Sequence, residues 1–177
     1  MIKKAAEFAR IAHEGAFRKG SRIPYIYHPM EVALLVAGMT RDEDVIAAAY
    51  LHDVLEDTPV TSGELGQAFG PRILELVQFE TEDKTLSWQE RKAHTIYHLP
   101  DAPIEVRILT LADKLSNMRS TARDYLMIGD QVWQRFHEKR KASHQWYASG
   151  ILEALSGMKA YPEYQEMDRL YHMVFGA

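Results

Sequence analysis

The stretch AAAYLHDVLEDTP, residues 47–59, concentrates acid, base and imidazole on an otherwise apolar segment. Ala47 to Leu51 are apolar or aromatic, yet His52 adjoins Asp53, and Glu56 adjoins Asp57. On a helix, neighbours lie about 100° apart and residues four apart stack, so His52 and Asp53 could reach one ion beside that surface. Glu56 and Asp57 would then stand one turn further on. Charges placed among apolar side chains need a partner, and a divalent cation is an effective one. The competing reading is a helix end, with His52 bonded in the core and both later carboxylates in water near Pro59.

Two further segments carry chemistry. In VRILTLADKLSNMRS, residues 106–120, Val106, Leu109, Leu111, Leu115 and Met118 supply packing faces, while Asp113 and Asn117 are one helical turn apart. Asp113 could complete a coordination sphere and Asn117 could hold a water or substrate oxygen; alternatively Asp113 is a solvent-facing carboxylate beside Lys114. In RKGSRIPYIYHP, residues 18–29, Arg18, Lys19 and Arg22 precede His28, which Pro29 fixes at a helix start. Helix N-termini favour anions and guanidinium forks suit phosphate; the alternative is a solvated basic loop.

The elements that must position these residues read as helices almost throughout. Ile2, Ala5, Ala6, Ala9 and Ala12 or His13 recur at three- and four-residue steps over residues 2–15. Helices are expected near 29–37 and 42–55, the second ended by Pro59. Thr61 with Glu64, and Ser87 with Glu90, have capping-box spacing. Gly70–Pro71 breaks the chain before a helix over 71–79, and the Ser87 box opens one that reaches about His98. Helices near 103–117, on to 127, over 130–156 and over 163–174 complete an all-α reading. FETEDKTLSWQE, residues 79–90, is the most polar internal linker. No strand-linked glycine-rich phosphate loop occurs.

Composition narrows the function classes. The 177 residues suit one packed domain, and 46% hydrophobic with 26% charged residues is ordinary for a globular protein. A net charge of −4 argues against an extended nucleic-acid-binding face while leaving room for a small anionic substrate. No apolar run approaches a membrane span, and MIKKAAEFAR lacks the apolar core of a signal peptide, so a cytoplasmic protein is expected. The absence of cysteine excludes thiolate ligands. Trp133, Phe136, Trp146 and Tyr147 could pack inside the chain, the favoured reading, or between subunits of a homo-oligomer.

Together the three segments resemble the HD-domain metal phosphohydrolases, and within them the hydrolase domain of RelA/SpoT alarmone enzymes and their small stand-alone relatives. LHDVLEDT is similar to the family's LHDVVEDT, LADKLSNMRS to LADRLHNMRT, and RKGSRIPYIYHP to RKSGxPYxxHP. The resemblance runs from about residue 5 to 125 and implies a single HD-domain helical bundle over residues 1–177. It implies His28, His52, Asp53 and Asp113 as ligands of one Mn²⁺, and Glu56 with Asp57 as the groups acting on the attacking water. It also implies Arg18, Lys19, Asn117 and Ser120 as substrate contacts, with Lys114 or Arg119 helping to offset phosphate charge. The implied activity is removal of the 3′-diphosphate of guanosine tetraphosphate or a related nucleotide. This sequence departs from the family pattern in three places: the basic loop is one residue longer, Ser116 stands where His is common, and QFETEDK replaces DGVTK after Val77. Two other readings keep the fold: hydrolysis of a different nucleotide or phosphomonoester, and a non-enzymatic nucleotide-sensing module. Retention of all four ligand positions and both later carboxylates favours the enzyme.

Overall fold

The computed structural model describes residues 1–176. Ten α-helices and three short 3₁₀ segments account for the regular structure among them, and the sole β feature is one isolated antiparallel bridge, Phe17 with Pro24. The all-α expectation holds. No described helix is long and apolar enough to cross a membrane. The chain divides into two compact units, Met1–Glu82 with Ile104–Ala112, and Asp83–Pro103 with Asp113–Ala177.

The first unit is organised around α3 (Glu43–Leu51), which packs against α1 (Ile2–Ala12), α2 (Tyr27–Met39) and α6 (Pro71–Glu80). Three neighbours require a helix buried on nearly all sides. Val45, Ala47, Ala48, Ala49 and Leu51 are all fully buried, the alanines permitting close approach. Asp42 caps α3 by accepting from Asp44 N at 3.0 Å and is itself held by Arg72 from α6. α5 (Ser62–Phe69) begins with the expected Thr61–Glu64 capping box. Gly70, at φ +86°, makes the turn into α6 that a side chain would strain. Phe8 meets Phe69 edge-on at 5.2 Å, tying α1 to the end of α5.

The expected helix over 42–55 is interrupted. α3 stops at Leu51, and α4 (Val54–Asp57) begins after a turn at His52–Asp53. His52 Nδ1 lies 2.8 Å from the Ala49 carbonyl, taking the acceptor that the next helical N–H would use. α1 is likewise shorter than the 2–15 stretch, ending before Gly15 at φ +79°.

In the second unit, α7 (Trp88–His98) opens with the Ser87–Glu90 capping box and packs against α9 (Lys141–Ala154), which in turn meets α10 (Pro162–Phe175). α8 runs unbroken over Ile104–Ile128, where two helices were expected; no Gly or Pro interrupts it, and Thr121 Oγ donates to the Asn117 carbonyl within it at 3.0 Å. The expected helix over 130–156 is instead a 3₁₀ segment, Gly129–Arg135, a bent irregular stretch, then α9. Trp133 Nε1 donates to Asp130 at 3.1 Å inside that tight segment, and His144 Nε2 bonds the Glu138 carbonyl at 2.7 Å across the gap. Trp133, 3% exposed, stacks on His144 and Phe175, so it packs within the chain. Trp88 likewise faces His144, Trp146 and Tyr147.

Candidate metal centre

The residues of the basic segment form a closed loop rather than a free one. Arg18 N donates to the Ile23 carbonyl and Tyr25 N to the Ala16 carbonyl, each at 2.9 Å, so the chain doubles back before entering α2. α2 starts at Tyr27, two residues earlier than expected, which puts His28 in its first turn. There the ring is 3% exposed. His52, 2% exposed, is brought beside it by the turn after α3.

The two imidazoles meet through their Nε2 atoms at 3.3 Å. Asp53 Oδ2 lies 3.0 Å from His52 Nε2 and 3.5 Å from His28 Nε2. Asp113 follows Ala112, the last residue of the first unit, directly along α8. His28, His52 and Asp113, all buried, offer ligand-type atoms within 4.8 Å of one another. A solvent-facing Asp113 is therefore excluded.

The donor set tests the site's fit to a cation. A carbonyl only accepts, so His52 Nδ1 carries a hydrogen and neutral His52 presents a lone pair at Nε2. That lone pair faces a carboxylate oxygen at 3.0 Å, a contact that needs a proton or a metal ion between the two atoms. Bonding of the distal ring nitrogen to a carbonyl is also the usual way a protein orients a ligating imidazole. The buried His/His/Asp group is suited to a single divalent metal ion.

The remaining predicted residues take varied places. Asn117 Nδ2 donates to Asp113 Oδ1 at 2.7 Å, and Lys114 Nζ reaches Asp113 Oδ2 at 2.5 Å. Glu56 is half-buried and Asp57 exposed on the short helix α4. Ser120 is half-buried, two turns beyond Asp113 on α8. Arg18 is half-buried with its guanidinium 5.8 Å from the centroid of the Tyr25 ring, whereas Lys19 is exposed. Arg119 is engaged in a bidentate pair with Glu166 at 2.6 and 2.7 Å, which directs its charge to α10. Lys92 is half-buried, its Nζ 4.9 Å from the Tyr147 ring centroid.

Two residues at the site were not singled out from the sequence. Tyr25 donates its hydroxyl to Asp53 Oδ2 at 2.7 Å and lies 3.4 Å from Asp57 Oδ2. His13 packs on the Tyr25 ring at 4.8 Å between centroids. Burial holds its imidazole below the ordinary value, opposed by attraction from Asp53 and Asp57. The usable signal for Tyr25 was its place three residues before His28 in the basic segment; for His13 it was only the helical period of residues 2–15, which assigns it no chemistry.

The comparisons with known proteins agree with this geometry. A family model described as the HD domain matches residues 5–141. The guanosine-3′,5′-bis(diphosphate) 3′-pyrophosphohydrolase MESH1 of Xenopus tropicalis is 35% identical over 160 residues, covering 89% of this chain and 86% of that enzyme. A solved structure described as a metazoan orthologue of SpoT that hydrolyses ppGpp superposes with a TM-score of 0.81 at 27% identity, over 97% of this chain and 93% of that one. The crystal structure of lmo0812 from Listeria monocytogenes EGD-e superposes with a TM-score of 0.77 at 34% identity, over 85% and 99% of the two chains. With its motifs, its helical architecture and its buried His/His/Asp group in accord, the chain belongs to the HD-domain family and is a homologue of the MESH1 and RelA/SpoT ppGpp hydrolases.

Proposed function

We propose that the protein hydrolyses guanosine-3′,5′-bis(diphosphate), or a closely related 3′-diphosphorylated nucleotide, releasing diphosphate from the 3′ position. The observation that carries this reading is the convergence of His28, His52 and Asp113 beside Asp53, in a chain whose relatives of similar length are named for that reaction. His28, His52, Asp53 and Asp113 would hold the metal. Mn²⁺ suits mixed imidazole and carboxylate ligands, and other transition metals fit the same set. When bound, the ion supplies Lewis-acid polarisation of a phosphoryl oxygen and a more acidic water.

The chain's own groups divide the remaining work. Glu56, half-buried on α4, is assigned to orient the attacking water and take its proton, with Asp57 beside it. Water adds to the phosphorus next to the 3′ oxygen, that P–O bond breaks, and the 3′ oxygen gains a proton. Arg18, perched on the Tyr25 ring, is assigned to the nucleotide ahead of the exposed Lys19. Asn117, which donates to Asp113, and Ser120 are assigned to substrate oxygens. The family match crosses from one unit into the other along α8, which supports reading the chain as one functional domain.

The test is diphosphate and phosphate release from a panel at equal Mn²⁺. The panel pairs 3′-diphosphorylated guanosine nucleotides with ordinary nucleotide monophosphates. Faster turnover of the monophosphates, with the 3′-diphosphate barely cut, would overturn the substrate assignment and leave the phosphohydrolase standing.

A further inference from the structure

We infer that Tyr25 is a positioning residue for Asp53, fixing through its hydroxyl the orientation of the carboxylate that completes the metal centre. The inference rests on the metal-site reading above and adds a group to it. A carboxylate accepts only, so the 2.7 Å contact is the phenol donating to Asp53 Oδ2. The same oxygen lies 3.0 Å from His52 Nε2 and 3.5 Å from His28 Nε2. Oδ2 thus accepts from Tyr25 while facing both imidazoles. Asp53 sits in the turn between α3 and α4, where no regular helix fixes its side chain. A hydroxyl donor from another segment therefore decides which way the carboxylate points.

Tyr25 is itself held firmly enough for that role. Its N–H bonds the Ala16 carbonyl and its carbonyl accepts from His28 N, each at 2.9 Å. Its ring is bounded by His13 at 4.8 Å, His28 at 5.9 Å and the Arg18 guanidinium at 5.8 Å. The ring and the hydroxyl have separable tasks: the ring supports Arg18, within cation–π range, and the hydroxyl supports Asp53.

Tyr25→Phe separates them, because it deletes the hydroxyl and keeps the ring packed. Groups that orient a metal ligand from behind change affinity or activity by about 10–100-fold when removed. Titration calorimetry of the metal-free protein with Mn²⁺ and with Co²⁺ should show a loss of that size in Tyr25→Phe. The Co²⁺ absorption bands should shift as the ligand field changes. The melting temperature of the metal-free variant should stay within a few degrees of wild type, as the ring contacts persist. Unchanged metal affinity in Tyr25→Phe, with or without a lower melting temperature, overturns the inference and leaves the metal centre intact. Wild-type protein with no saturable binding overturns the metal-centre reading and the inference with it. A Tyr25→Leu variant, lacking ring and hydroxyl, should show the same affinity loss and a raised KM for nucleotide; retained affinity in it overturns the inference independently.

Discussion

The two units spend their buried positions differently. The first buries imidazoles: His13, His28 and His52 are each less than 5% exposed and lie on or beside one centre. The second buries aromatic and aliphatic side chains, and its charges meet in pairs nearer the surface, Arg119 with Glu166 and Arg135 with Asp124. Its buried polar groups, Asp113 and Ser116, fall in the first turn after α8 leaves the first unit. A buried polar side chain must be bonded or must serve an ion. The buried imidazoles thus belong to the first unit, and the second unit's buried polar side chains are confined to the start of its share of α8.

Asp53→Ala should sharpen this contrast most. Deleting a charged oxygen that lies within 3.5 Å of both imidazoles should abolish metal binding and reduce product release to background together. Metal analysis of the purified variant and a phosphate-release assay read the two effects; activity surviving with metal still bound would remove Asp53 from the centre. Glu56→Gln comes next, with metal retained and turnover lower by roughly 10²–10⁴-fold. Unchanged turnover would reject Glu56 as the base, and lost metal would make it a ligand or an orienting group.

Trp133→Ala probes the second unit alone. Truncating a buried Trp that stacks on two rings should cost about 3–5 kcal/mol, a drop in melting temperature on the order of 10 °C. Metal affinity, measured where the variant is folded, should hold within about three-fold. A large affinity loss there would break the division of labour.

The smallest effects separate the units by pH. Burial depresses the His13 pKa from its ordinary 6.5, so the unfolded chain takes up a proton that the folded one refuses. Stability therefore falls as pH drops below about 6.5. His13→Phe should lose less stability than wild type between pH 7.5 and 5.5, read as a smaller fall in melting temperature over that range. For Glu166, hydrogen bonding from Arg119 lowers the pKa from 4.5. Its stabilisation is present above about pH 4.5 and is lost as pH falls through the lower folded value. The pair is about one-third exposed, so Glu166→Gln should change stability by under about 1 kcal/mol, and only the acid limb of a melting profile should flatten.

Much of this organisation was legible in the residues. The capping boxes at Thr61 and Ser87, the Gly70–Pro71 break and the starts of most helices depend on contacts within a few residues, and local sequence carries them. The HD pair stood out as ionisable groups on an apolar segment, whereas Asp113 and the basic loop were picked out by their resemblance to the family's motifs. The interruption at His52–Asp53 was not legible, because the periodicity around it is helical and the break depends on a ring bonding its own chain at Ala49. The irregular stretch after Arg135 was hidden for a similar reason: Trp133, Phe136 and His144 have no turn signature, and their mutual ring contacts set the path.

By itself, the sequence determined that this is an all-α chain and which ionisable groups could serve a cation. Tertiary structure alone decided that Asp113 is buried against the histidines, that Arg119 is committed to Glu166, and that Arg18 rather than Lys19 rests on Tyr25. Tyr25 is the clearest case. Residue 25 precedes Asp53 by 28 positions, and only the packing of the loop against the α3–α4 turn brings the hydroxyl to the carboxylate. Helix propensity and capping act over a turn or two, whereas a coordination geometry needs donors from distant segments converging at hydrogen-bond distance. That convergence is a property of the packed core, which no local pattern encodes.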